Sequence, residues 1–229
     1  ISGLLYSAID WHYEVNENKE LINDWKLSTF YTGVGQLNHI NQVEKIIKKF
    51  NEENVRVIVL KGLVVREFYK NPELRTMSDA DILVHEEDLD KARNILTSLG
   101  YSEKEGSDEH GAHLVFDHTN YLSVEVHWTL INGDYFSSGK EFEKDIWNNT
   151  MKIKLGDTEA LSLGWEDLTL HLCIHMIVHM LYSGFGIRQL ADLVILIEKK
   201  GKEINWDKFF EKSIECKADK FVIVIFNIC

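Results

Sequence analysis

The chain has 229 residues, enough for one domain with an appendage or for two small domains. Hydrophobic residues make up 45% and aromatics 11%, so a real core can form and a disordered chain is excluded. The formal charge of -12, from 37 acids against 25 Lys and Arg, excludes broad binding to a nucleic-acid backbone, which needs a basic surface, but leaves room for a local basic pocket around one nucleotide.

Three cysteines, Cys173, Cys216 and Cys229, show no CxxC spacing, and an odd number suits reduced thiols in a cytoplasm. No apolar run approaches the ~20 residues of a spanning helix, and the leading ISGLLYSAIDWH lacks the charged start of a secretory signal. A cytoplasmic protein without a membrane partner is therefore expected. The chain starts at Ile1 and finishes on the apolar FVIVIFNIC, so both ends are expected to continue in a longer protein.

In chain order, residues 4–30 carry apolar positions at helix-like spacing, broken by a polar patch around Asn16–Glu20. From 34 to 50 the set Val34, Leu37, Ile40, Val43, Ile46, Ile47 and Phe50 follows a 3.6-residue period. The β-branched VRVIVL (55–60) predicts a strand. A Lys61-Gly62 turn leads to a short helix over 63–70, which stops before Pro72, the only proline. SDADILV predicts a second strand over 79–84. HEEDLDKARNILTSLG predicts a helix with acids in its first turn and Gly100 at its end. Strands are predicted at 101–105, 113–118 and 121–130, the last two close enough to form a hairpin. A helix over 138–149 and an extended pair around Gly156-Asp157 follow. From Trp165 the pattern is helical, over 165–182, 187–200 and 205–215, with breaks at 184–186 and 199–203.

The sharpest chemistry lies in the second strand. Side chains two apart on a strand point the same way, so Asp79 and Asp81 can converge on one point. Convergent carboxylates hold hard divalent cations, and Mg²⁺ keeps waters and substrate phosphates as its other ligands. In YLSVEVHWTL, Val124 and Val126 are expected to face the core and Glu125 and His127 the opposite side. That arrangement suits a solvated face, or a third carboxylate beside Asp79 and Asp81 in a two-metal clamp for phosphoryl transfer. Without metal, the acids would raise at least one pKa among them.

The ordered set LKG, Arg75, SDADILV and VEVHW, followed by helices bearing HLCIHMIVH and IRQLADL, resembles the polymerase-β-like nucleotidyltransferase superfamily. More closely, it is similar to its bacterial "uncharacterised nucleotidyltransferase" branch, over about residues 35–215. The resemblance implies an α+β fold: a nucleotidyltransferase-like mixed β-sheet flanked by helices, followed by an all-helical C-terminal domain. The corresponding division is 1–34 as an N-terminal helical segment, 35–160 as the α/β domain and 161–229 as the helical domain. It implies that Asp79, Asp81 and Glu125 are catalytic and bind Mg²⁺ or Mn²⁺. Lys61, Gly62, Arg75, Ser78 and His127 would meet the nucleotide or its phosphates. The implied reaction moves an NMP from an NTP, ATP foremost, to a hydroxyl of a small molecule or protein and releases pyrophosphate. Long nucleic acid is not an expected acceptor. The alternative is a catalytically weak or inactive nucleotide-binding regulatory module on the same fold.

Two departures bear on that choice. Leu63 follows Gly62 where the superfamily has serine, and the third acid is Glu rather than Asp. Lys61 is then either a point-charge phosphate contact or a surface lysine. Arg75 is either a phosphate clamp or a salt bridge that fixes the acidic turn. His127 either orients Glu125, meets the nucleotide or makes a structural hydrogen bond, and His113 is a weaker case of the same kind. On the helix at 165–182, His171, His175 and His179 recur at i, i+4 along one face. Such pairs bind zinc in H-E-x-x-H enzymes, but Leu172 stands in the Glu position. The stripe is expected instead to line the cleft between the helical part and the sheet, or to lie on a polar seam. Arg188, Asp192 and Trp206 are expected in packing and contacts between the two parts, with a substrate role as the alternative for Arg188 or Asp192.

Overall fold

A computed structural model describes residues 2–9, 19–106, 112–131, 139–182 and 184–229. Its strands are β1 (Val57–Val59), β2 (Asp79–Val84), β3 (Ser102–Glu103), β4 (His113–Asp117), β5 (Ser123–His127), β6 (Thr150–Leu155) and β7 (Thr158–Leu163). They form one seven-stranded sheet in the order β3-β4-β5-β2-β1-β7-β6. It is mixed: β2 runs parallel to β5 and β1 parallel to β7, while the other neighbours are antiparallel. The helices are α1 (Ser2–Ala8), α2 (Lys19–Glu52), α3 (Gly62–Val65), α4 (Leu89–Ser98), α5 (Gly139–Glu143), α6 (Trp165–Tyr182), α7 (Ile187–Lys200), α8 (Trp206–Glu215) and α9 (Asp219–Ile228). Among the described residues, no helix is long and apolar enough to cross a membrane.

The pleat decides what the sheet buries. On β2 and β5 the alternate residues Ala80, Ile82, Val84, Val124 and Val126 enter the main core. There they join Val43, Ile46, Ile47 and Phe50 of α2 and Ala92, Ile95 and Leu96 of α4. The interior strand β1, beside the central β2, is buried at all three positions. The opposite faces of β2 and β5 are left to Asp79, Asp81, Ser123, Glu125 and His127.

A second core lies in the helical part, where Leu170, Ile174 and Met176 of α6 meet Leu193 of α7, Phe209 of α8 and Val222 of α9. Leu168, Leu172 and Leu196 belong to the main core instead. The helical part therefore packs against the sheet, and Leu172, His175 and His179 of α6 line one cleft with Asp79, Asp81 and Glu125, so it roofs the acid-bearing side. Cys173 and Cys216 are buried free thiols, and Cys229 is an exposed one.

One helix departs from expectation. The helix read over 34–50 starts at Lys19 and runs unbroken to Glu52. The polar interruption around 16–20 falls largely outside the described residues, and residues 19 and 20 are already helical. The helix-like spacing read up to residue 30 and the one read over 34–50 are thus a single helix, whose first half leaves Leu21 and Phe30 each 63% exposed. Gly33 costs about 1 kcal/mol relative to alanine in a helix interior, and it is accommodated where α2 passes close to Glu73 and Leu74.

Candidate active site

The parallel register of β2 and β5 assembles the site. Asp79 stands opposite Ser123, Asp81 opposite Glu125 and Leu83 opposite His127. In the antiparallel hairpin, His113 of β4 stands opposite His127. Asp81 is the hub. Its Oδ1 accepts from Lys61 Nζ at 3.0 Å and meets His127 Nε2 at 3.0 Å. The same His127 nitrogen lies 3.5 Å from Glu125 Oε2, and His113 Nε2 lies 4.0 Å from that oxygen.

The electrostatics follow from these contacts. Burial pushes the Asp81 carboxyl up, but the Lys61 charge and the His127 hydrogen bond outweigh it and hold the group well below the usual range. For His127, burial favours the neutral ring, yet hydrogen bonds to Asp81 and Glu125 prevail and raise its pKa. That histidine hydrogen bond is also the main reason Glu125 lies below its ordinary value, against the opposing effect of burial. Asp79 moves the other way, raised by burial and then by the charges of Asp81 and Glu125. Ser78 Oγ donates to Asp79 Oδ2 at 3.2 Å and partly relieves it.

Asp79, Asp81 and Glu125 open onto a single cleft of about 510 Å³, together with Lys61, Gly62 and Ser78 from the sheet side. This is within the range of small-molecule sites. Its chemistry suits a hard cation: three carboxylates share the cleft, their repulsion is registered at Asp79, and an ammonium already stands on Asp81. Among the described residues, Asp81, Glu125 and His127 form a set of potential ligand atoms that all lie within 4.8 Å of one another. Sequence spacing favours Asp79 as the third member, whereas the geometry brings His127 closest.

The turn after β1 differs in detail from its sequence reading. Lys61, not Gly62, takes the positive φ, at 43°, a rare conformation for a side-chain-bearing residue. Gly62 is needed for space instead. A Cβ there would lie 3.0 Å from Cζ and Nη2 of Arg75 and closer still to Nη1.

Arg75 lies in the loop entering β2, as expected, but its guanidinium is committed to the helical part. Nε donates to Asp192 Oδ1 at 3.1 Å and Nη2 to Asp192 Oδ2, while Tyr69 Oη donates to Oδ1 at 2.8 Å. Nη1 of Arg75 donates to the Thr76 carbonyl at 3.3 Å, and Nη1 of Arg188 donates to it at 3.0 Å. Asp192 thus makes the contact between the two parts that was expected of it. Arg188 and Gln189, from the first turn of α7, reach the cleft wall. Both belong to the IRQLADL segment of the sequence pattern, but spacing along the chain does not show that they face the cleft. His175 and His179 of α6 also line the cleft, whereas His171 is buried behind them.

A D-x-D strand paired in register with a glutamate strand, preceded by a strand-turn-helix and roofed by helices, defines a nucleotidyltransferase-type fold. The chain belongs to the family described as "Uncharacterised nucleotidyltransferase", which matches residues 1–229. No curated protein matches this sequence. The fold is similar to the solution structure of the antibiotic-resistance factor ANT(2'')-Ia, with a TM-score of 0.54 and 10% identity over 84% of this chain and 96% of that one. The crystal structure of ANT(2'')-Ia in complex with adenylyl-2''-tobramycin gives 0.53 and 11%, over 80% and 97%. An antigenic nucleotidyltransferase-like protein from Paracoccidioides brasiliensis gives 0.51 and 10%, over 71% and 77%. At such identities the likeness concerns the fold.

Proposed function

We propose that this nucleotidyltransferase moves an NMP, foremost AMP from ATP, to a hydroxyl of a small molecule and releases pyrophosphate. The observation that carries the reading is the register that sets Asp81 beside Glu125, with Asp79 on the same face of β2. Asp79, Asp81 and Glu125 would hold Mg²⁺ or Mn²⁺, which supplies charge neutralisation of the triphosphate and of the leaving pyrophosphate. The residues themselves act by position and charge. Lys61, within reach of Asp81, is suited to turn its ammonium to a phosphate when a cation takes the carboxylate, and Arg188 adds positive charge on the opposite wall. His127 fixes Asp81 and Glu125 in place, and Ser78 does so for Asp79. Arg75 serves the phosphates indirectly, by buttressing the Gly62 turn.

The small-molecule acceptor is supported by a cleft of small-molecule size and by the fold shared with a protein solved with adenylyl-2''-tobramycin. The net charge of -12 argues against long nucleic acid. One observation favours a second reading, a nucleotide-binding module without turnover: the Lys61 ammonium already pairs with Asp81, a carboxylate that would have to serve the metal.

The test is transfer of label from α-labelled ATP, with Mg²⁺ or Mn²⁺, to hydroxyl-bearing small molecules and cell extracts. Wild type is compared with Asp79→Asn and Asp81→Asn. Label transfer lost in both variants supports the enzyme, and metal-dependent binding of ATP without transfer supports the module. ATP binding that neither substitution alters would overturn the site.

A further inference from the structure

On α6, His175 and His179 are one helical turn apart, and their Nε2 atoms lie 3.2 Å from each other. Both rings line the cleft, on the wall formed by the helical part. We propose that this pair is a second cation site, separate from the carboxylates, for a borderline d-block ion of the Zn²⁺ class. Three features carry it.

The first is geometric. Zinc-nitrogen bonds are about 2.0–2.1 Å, so two nitrogens 3.2 Å apart subtend about 100° at an ion bound to both, between the octahedral and tetrahedral angles. In the metal-free protein this spacing is a hydrogen bond between the two rings; an ion would take the place of the shared proton at nearly the same nitrogen separation. The i, i+4 arrangement on one helix face is the one that zinc enzymes use for a histidine pair. The inner pair lacks this convergence, since the His171 and His175 ring centroids are 6.5 Å apart.

The second is chemical. A metal needs an imidazole lone pair, so a protonated ring competes with the ion. Burial and then the Lys61 charge lower the pKa of both rings, joined at His175 by the neighbouring histidines, and so favour the neutral form that a metal needs. Neutral imidazole prefers zinc-class ions, whereas carboxylate and water suit Mg²⁺, so the two walls of the cleft would select different metals.

The third is access. Both histidines are half-buried at the cleft surface, which leaves the remaining coordination positions to water or to a bound molecule. Met176 follows His175 where zinc hydrolases carry glutamate, so the pair has no hydrolytic base of that type.

The proposal is tested by equilibrium dialysis of metal-stripped protein against ZnCl₂ in excess MgCl₂, and by CoCl₂ titration followed through the visible d–d absorption. One equivalent of zinc is expected to be retained. His175→Ala and His179→Ala should each weaken binding about 10- to 100-fold or more, while Asp81→Asn should leave it intact. In wild-type protein, zinc should shift the Nε2 resonances of His175 and His179, a readout that does not depend on either variant folding. No saturable zinc binding, or equal binding by the histidine variants, would overturn the proposal. So would loss of binding in Asp81→Asn or shifts centred on His113 and His127, which would put the ion at the carboxylates. None of these results depends on nucleotidyl transfer, so the two proposals fail independently.

Discussion

Replacing Asp192 by alanine isolates the contact that joins the helical part to the site. Asp192 and Arg75 are only 2% and 7% exposed. The carboxylate accepts two hydrogen bonds from the guanidinium and one from Tyr69. Alanine removes all three and leaves a guanidinium buried without its counter-ion. Breaking a buried pair from one side costs about 3–5 kcal/mol. With a urea m-value of about 2.5 kcal/mol/M for a chain of this size, the midpoint should fall by about 1–2 M at unchanged m. The assay is urea unfolding followed by tryptophan fluorescence. The double variant Arg75→Met/Asp192→Leu should recover most of the loss, since a well-packed apolar pair is often as stable as the ion pair it replaces. A shift below about 0.3 M in the single variant would refute the reasoning. A double variant no better than the single one would show that attraction within the pair, rather than the stranded charge, is what stabilises it.

Three other outcomes are expected. Mg²⁺ at about 100 times its dissociation constant should stabilise the wild type by about 2.7 kcal/mol, read as a rise in Tm. Asp79→Asn and Asp81→Asn should abolish that rise and cut label transfer by about 10²–10³-fold; an undiminished rise would place the cation elsewhere. Gly62→Ala should lower stability and nucleotide affinity together, because its Cβ meets the Arg75 guanidinium, whereas Leu63→Ala should not affect nucleotide binding in that way; calorimetry with ATP separates them. His127 holds its proton more tightly in the folded than in the unfolded chain. Its contribution in metal-free protein should therefore be complete below the unfolded value of 6.5 and disappear as pH rises through the higher folded one. His127→Gln should flatten that part of the stability-pH curve, and an unchanged curve would refute the Asp81-His127 bond.

What the sequence determined by itself was local. Period-two alternation put Asp79 and Asp81 on one face of a strand, and Val124 and Val126 on the face opposite Glu125 and His127, because the pleat is a property of the strand alone. The i, i+4 spacing likewise put His171, His175 and His179 along one side of α6. The tertiary structure decided which of these groups meet. Only the parallel pairing of β2 with β5 sets Asp81 against Glu125 and within 3.0 Å of His127, 46 residues away. Only the docking of α7 gives Arg75 to Asp192, across 117 residues, where the sequence left phosphate and salt bridge as equal choices. The Lys61-Gly62 turn shows the same limit within two residues. Its glycine was legible as a turn signal, but the reason for it is Arg75 packed against it, and the unusual φ belongs to Lys61, whose ammonium Asp81 holds. Spacing along the chain fixes the direction of a side chain; what stands opposite it is fixed by strand register and helix packing, which depend on residues far away in the chain.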